Sequence, residues 1–263
     1  MTIPVFQVDA FTHTILSGNP AAICPIPSWL PEDTMQRIAM ENNLAETAFI
    51  VPEGEDYHIR WFTPSVEVAL CGHATLAAAF IFFEHLGYHR PLIRFNSKSG
   101  WLTVERNPDD TYTLDFPADP PAIHPDPVPG LLEGLGVSPR DIWRGKFDFM
   151  VELENEEAVA ALRPDFRSLS NVKSRGILVT ARGKEADFVS RCFFPQSGID
   201  EDPVTGSAHC LLTPYWNQKT GKQHFKAIQW SERKGWLDCR LAGDRVHMSG
   251  SAVLFLKGEI YLP

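Results

Sequence analysis

Apolar positions along the chain fall into two kinds of run. Short stretches rich in Val, Ile, Leu and Phe, among them "AAICPIP" (21–27), "ETAFIV" (46–51), "FMVELEN" (149–155) and "RGILVT" (175–180), read as strands bounded by Gly, Asn and Asp. Between the members of each pair lies a stretch of helical character, "LPEDTMQRIAMENN" (30–43) and "NEEAVAALRPDFRS" (155–168). The second kind of run is longer and predicts two helices, 73–86 and 207–218. The first of these contains "ATLAAAFIFF", which is apolar on every face, so sheet must enclose it on most sides.

The pattern occurs twice. "YHIRWFTPSVEVALCGHATLAAAFIFFEHLG" (57–87) and "DFVSRCFFPQSGIDEDPVTGSAHCLLTPYWNQKTG" (187–221) share one order: a strand, Phe and Pro, an acidic loop, then Gly opening a helix that stops at glycine. Downstream, "SKSGWLTVE" (97–105) matches "ERKGWLDCR" (232–240), with Gly72 and Gly100 separated by 28 positions and Gly206 and Gly235 by 29. Upstream, Ile23 to Ile50 and Val151 to Leu178 both span 27. A duplication explains this agreement. The expected fold is α+β: two pseudo-symmetric halves, 1–117 and 118–263, each a curved, barrel-like sheet around one central helix. The last strand, 252–263, is free to pack back on the first half. The proline-rich "LDFPADPPAIHPDPVPG" (114–130) is the natural linker.

Composition narrows the function classes. The 263 residues are 44% hydrophobic and 22% charged, a soluble globular balance. A net charge of −9 without a Lys/Arg block argues against a nucleic-acid or anionic-membrane surface, both of which need a basic footprint, and leaves room only for local basic patches. Five scattered cysteines, Cys24, Cys71, Cys192, Cys210 and Cys239, contain no Cys-x-x-Cys and point to a reducing cytoplasm rather than a disulfide framework or zinc site. No signal-peptide pattern opens the chain, and its longest uncharged run, Val68 to Phe83, is short for a bilayer span and carries a histidine.

Candidate chemistry gathers where the two apolar helices begin. A helix N-terminus offers unpaired N–H groups to an anion, and glycine lets the ligand approach the backbone. If the halves pack about a pseudo-two-fold, the two helix starts face one cleft and aim two sets of donors at one carboxylate or enolate. The side chains there are Cys71 and His73 in the first half and Glu201, Asp202, Thr205, Ser207 and His209 in the second. Each also has a plainer reading. Cys71 suits a buried core thiol, Asp202 followed by Pro203 has the order of an N-cap and first helical residue, and His209, one turn into the helix, suits the core. Glu46 stands between helix and strand beside Leu44, Ala45 and the run Ala48 to Val51. A carboxyl in such apolar surroundings is expected to have a raised pKa, suited to acid/base work near neutrality.

"NLAETAF", "FTPSVEVALCGHATLAAA" and "GIDEDPVTGSAH", with "VDAFT" and "SGNPAAIC" near the start, resemble the phenazine biosynthesis PhzF-like family over essentially the whole chain. The resemblance implies the diaminopimelate epimerase-like fold. It places Glu46 at the family's proton-shuttling glutamate and His73, Asp202 and Ser207 at its substrate-site residues. Gly72, Cys71, Thr205 and Gly206 complete the expected substrate-binding set. Cysteine-dependent members of the superfold oppose two thiols. Here Cys71 fills one place and Thr205 the other, which disfavours a two-thiol racemase.

The expected activity is therefore a PLP-independent isomerase, using no cofactor and no metal, that moves a proton between carbons of a small carboxylated metabolite. The cysteine usage points to the cytoplasm, the charge balance to no nucleic-acid or membrane partner, and the resemblance implies a homodimer. Three alternatives stay open: a thiol hydrolase using Cys71 with His73, a metal site from Cys71, His73 and His209, and a non-catalytic small-anion binder. Substrate identity is beyond the residues, because one fold serves many chemistries.

Overall fold

The structure is a computed structural model that describes residues 1–139 and 141–262. Two compact units divide the chain: Met1–Asp115 joined by the segment from Met248 onward, and Phe116–His247. The first contains β1 (Thr2–Ala10), β2 (Asn19–Pro25), α1 (Glu32–Asn42), β3 (Glu46–Glu53), β4 (Asp56–Phe62), β5 (Glu67–Val68), α2 (Gly72–His85), β6 (Leu92–Ser97) and β7 (Gly100–Arg106). The chain leaves this unit within β8 (Tyr112–Pro117). The second contains β9 (Ala122–His124), α3 (Leu131–Leu135), β10 (Ile142–Arg144), β11 (Asp148–Glu152), α4 (Glu156–Ala161), α5 (Phe166–Leu169), β12 (Gly176–Arg182), β13 (Phe188–Phe193), α6 (Gly206–Thr220), β14 (His224–Gln229) and β15 (Gly235–Ala242). The chain returns through β16 (Arg245–Gly250) to β17 (Ala252–Tyr261), which lies antiparallel to β1 from Ala10↔Ala252 to Thr2↔Tyr261.

Both units follow one sequence of pairings. In the first, β2 and β3 are parallel across α1, β3 and β4 antiparallel, β4 and β6 parallel across α2, and β6 and β7 antiparallel. In the second, β11 and β12 are parallel across α4 and α5, β12 and β13 antiparallel, β13 and β14 parallel across α6, and β14 and β15 antiparallel. A parallel pair needs a crossover, and in each unit the second crossover is the apolar helix foreseen from the sequence.

These helices are enclosed. Every residue of α2 from His73 to Phe83 is buried, with Ala77, Ala78, Ala79 and Ile81 fully so, and α2 meets β1, β2, β3, β7 and β17. Contact with strands from both ends of the pairing order means the sheet curls around the helix. In the second unit the indole N–H of Trp216 donates to the Thr180 hydroxyl on β12 at 3.0 Å. Trp216 also stacks on Phe188 of β13, and Tyr215 meets Trp143 of β10 edge-on. On the outer face, α1 sets Met35, Ile38 and Ala39 against Cys24, Phe49 and Phe62. Among the described residues no helix is long and apolar enough to cross a membrane. Because Ile81 is fully enclosed, Ile81→Ala should lower unfolding free energy in urea by roughly 2–5 kcal/mol.

A duplicated ion pair braces the chain before each central helix. Arg60 on β4 donates to both oxygens of Glu67 at 2.8 Å and lies 5.2 Å from the Phe62 ring centre. Arg191 on β13 donates to both oxygens of Glu201 at 2.7 and 2.8 Å and lies 5.2 Å from Phe193. These planar, two-bond pairs resist rotation and hold the incoming loop to the preceding strand. Hydrogen bonds from Arg60, opposed by burial and aided by Lys98, hold the Glu67 carboxyl at about 2, below its ordinary 4.5. A depressed carboxyl contributes stability above 4.5 that is lost as pH falls towards 2. Acid titration of the melting temperature should show that loss in the wild type and a shallower slope in Glu67→Gln.

Candidate active site

The first unit builds a buried cluster at the mouth of α2. Asn43, in the left-handed conformation at φ 48°, ends α1 and turns the chain into β3, whose first residue is Glu46. Glu46 stands opposite Ala21 in the parallel β2–β3 ladder, and Asn19, two residues before Ala21 on the same strand face, lies along the same edge. Opposite them α2 begins at Gly72. Cys71 is extended as its N-cap, and no side chain caps the helix.

His73 is the centre of this cluster. Its Nε2 lies 3.1 Å from Glu46 Oε2, and the His73 and Glu46 side chains are only 6% and 13% exposed. The two form a close buried ion-pair contact, and neither atom has any other polar partner among the described residues. On the other edge of the ring, Asn19 Nδ2 lies 3.1 Å and Cys71 Sγ 3.6 Å from Nδ1. Burial and then the charge of Glu46 push the Cys71 thiol up to about 11, so it is protonated and poorly nucleophilic at neutral pH. Burial opposes a charged His73, but Cys71 and Glu46 outweigh it and the ring's pKa is raised well above the ordinary 6.5. With the thiol protonated, Glu46 is the partner that matters near neutrality.

The second unit builds its helix mouth from hydroxyls, an amide and the Asp202 carboxyl. Thr205 is the extended N-cap of α6, its hydroxyl donates to Asp202 Oδ2, and Gly206 and the half-buried Ser207 open the helix. Gln229, fully buried at the end of β14, accepts from the Thr205 N–H at 2.7 Å. It also donates to the Asp202 carbonyl at 2.8 Å and the Thr205 hydroxyl at 3.1 Å. His209 Nδ1 lies 2.9 Å from the Thr205 carbonyl and donates to it. Thr75 does the same in the first unit, its hydroxyl donating to the Cys71 carbonyl at 2.5 Å.

The structure corrects the capping reading of Asp202 and Pro203. The helix starts at Gly206, three residues beyond Pro203. Val204 explains the delay: it is buried against Gly235, where any Cβ would meet it at 2.2 Å, so the chain must pass this contact before turning into α6. His209 takes the structural role weighed for it. Glu46, Cys71, Gly72 and His73 are brought together in the first unit, and Asp202, Thr205, Gly206 and Ser207 in the second. Two participants escaped the sequence reading. Asn19 lies inside "SGNPAAIC", where its motif could have flagged it, whereas Gln229 is an ordinary amide at a strand end with no local signal.

The donor atoms of Glu46, Cys71 and His73 lie within 4.8 Å of one another, the spread of a three-ligand metal cluster. Their directions fit one ion poorly, because Cys71 addresses Nδ1 and Glu46 addresses Nε2. A metal on either ring lone pair faces away from one of the other two donors. His209, weighed as a ligand with Cys71 and His73, commits its Nδ1 to the Thr205 carbonyl.

A duplicated sheet-around-helix unit with polar groups at the helix mouths defines the diaminopimelate epimerase-like class. Residues 8–258 match the sequence model of the phenazine biosynthesis-like proteins, and the chain belongs to that PhzF-like family. A Pseudomonas aeruginosa protein named as an uncharacterized isomerase is 52% identical, with all of both chains covered. The crystal structure of a PhzF-family protein from Enterococcus faecalis superposes with a TM-score of 0.96 at 45% identity, again over all of both chains. A predicted epimerase from P. aeruginosa shares the fold at a TM-score of 0.78 and 20% identity, covering 99% of this chain and 100% of its own.

The two buried histidines should respond oppositely to pH. Burial lowers His209 to about 4 from 6.5, so between those values the unfolded chain binds a proton that the folded chain refuses. Stability is then full above 6.5 and falls by about 3 kcal/mol as pH drops to 4. His73 has the opposite sign, its contribution being full below 6.5 and lost as pH rises through its raised value. Urea titrations across pH should show the acid-side loss in wild type and a reduced loss in His209→Gln.

Proposed function

We propose that this chain is an isomerase in which Glu46 moves a proton between two carbons of a small carboxylated metabolite. The observation that carries this reading is the Glu46–His73 pair: a carboxylate oxygen and an imidazole nitrogen, both buried, 3.1 Å apart and with no other polar partner among the described residues. A buried carboxyl and imidazole held side by side at a helix mouth, both able to exchange protons, are suited to serve a third reactant.

In the proposed reaction the Glu46 carboxylate removes a proton from a carbon conjugated to the substrate's carboxylate. The C–H electron pair moves into that unsaturated system as an enolate-like anion, and His73 Nε2–H steadies the carboxyl of Glu46 as its charge changes. Glu46 then returns the proton to a second carbon, so atoms and charge balance within substrate and protein. Amides at a helix mouth can hold the substrate's carboxylate and its developing negative charge. This reading assigns Gly72 and Cys71, with Thr205, Gly206 and Ser207, to substrate binding, and Asp202 to orienting the substrate. The route requires no cofactor, because the substrate itself delocalises the electron pair.

Cys71 is a poor candidate for the base. It is buried, and its thiol is pushed up to about 11. The name of the P. aeruginosa relative supports isomerisation as the reaction type, and nothing in it specifies a substrate.

A deuterium wash-in screen in D₂O against pooled metabolite carboxylates, read by mass spectrometry, should find a compound that gains deuterium. With that compound, Glu46→Gln should reduce turnover on the order of 10²- to 10⁴-fold while largely retaining binding. Cys71→Ser should cost much less. Loss of turnover in Cys71→Ser with near-wild-type Glu46→Gln would overturn the assignment.

A further inference from the structure

We infer that Asn19 is a positioning residue that fixes His73 in the tautomer carrying its proton on Nε2, the nitrogen facing Glu46. A neutral imidazole has one N–H and one lone pair, and the groups around it decide which nitrogen holds which. Both neighbours of Nδ1 are donors. The Asn19 amide nitrogen, 3.1 Å away, has hydrogens and no usable lone pair, and the Cys71 thiol at 3.6 Å has a hydrogen to offer. In the neutral ring Nδ1 must accept, which leaves its one proton on Nε2. The only carboxylate paired with this ring among the described residues, Glu46, lies on that side at 3.1 Å.

The local chain is built to deliver this amide. Asn19 is fully buried as the first residue of β2, and Gly18 before it turns at φ +65°. A side chain at Gly18 would place its Cβ 2.2 Å from the Ala10 carbonyl oxygen, so only glycine allows the strand to start here. A hydroxyl-bearing residue at position 19 could rotate to accept as readily as donate. An amide whose nitrogen faces Nδ1 cannot, and its planar geometry holds the donor in place.

The importance of this tautomer for catalysis rests on the proton-transfer reading above, but the tautomer itself is tested without any substrate. Long-range ¹H–¹⁵N NMR of protein labelled at its nine histidines, with His73 assigned by its disappearance in His73→Gln, reports each ring nitrogen directly. At alkaline pH, where the ring is neutral, wild-type His73 should show a pyridine-type Nδ1 and a pyrrole-type Nε2. Asn19→Leu, which keeps the volume and removes the donor, should shift both resonances towards the averaged values of a tautomer mixture. Asn19→Asp, which substitutes an acceptor, should retain a proton on Nδ1 to higher pH. A pyrrole-type Nδ1 in the wild type, or spectra of both variants indistinguishable from it, would overturn the inference. If Asn19→Leu does not fold, the wild-type spectrum and Asn19→Asp still decide. Failure of the deuterium screen would bear on the proposed reaction and not on this assignment.

Discussion

A helix that is apolar on every side can meet water only at its ends. That constraint organises each unit. Enclosing α2 demands strands on all flanks, and the parallel crossover between β4 and β6 carries the helix into the sheet's curve while leaving Gly72 at the rim. The amides of the first turn cannot find partners within the helix, so the rim is polar by necessity. Chemistry can be placed there without disturbing the core.

Duplication made this arrangement twice, and the conserved parts are mechanical. The Arg60–Glu67 and Arg191–Glu201 pairs brace equivalent loops, and Thr75 and His209 tie equivalent N-cap carbonyls. Divergence is concentrated in the side chains at the mouths. The first unit has Cys71 and His73 beside Glu46, groups able to exchange protons, whereas the second has Thr205 and Ser207 with a buried amide network from Gln229. This asymmetry leaves the two mouths chemically different although their frames match. It also gives the histidines different work: His73 is held beside an anion, and His209 is kept neutral by burial.

Much of this was readable from residue order. All-round apolarity marks an enclosed helix wherever it occurs, and the paired spacings of Gly72 to Gly100 and Gly206 to Gly235 record a duplication, so the architecture followed from local properties of the chain. Glu46, between helix and strand beside an apolar run, was recognisable as an acid in unusual surroundings. The start of α6 was not, because Asp202 and Pro203 form a good local capping signal, and the contact that overrides it, Val204 on Gly235, joins residues far apart in sequence.

The sequence by itself determined the two-fold repeat, the enclosed helices and the residue types at their mouths, since these depend on periodicity and on chemistry carried by single positions. Tertiary structure alone decided which edge of the His73 ring meets Glu46 and which meets Asn19 and Cys71. It alone decided that Gln229 holds the Asp202–Thr205 segment and that the Cys71 thiol is too buried to ionise readily. Most of these properties arise from distances of about 3 Å between residues separated by tens of positions, and a linear pattern cannot encode the strand registers and crossovers that create them.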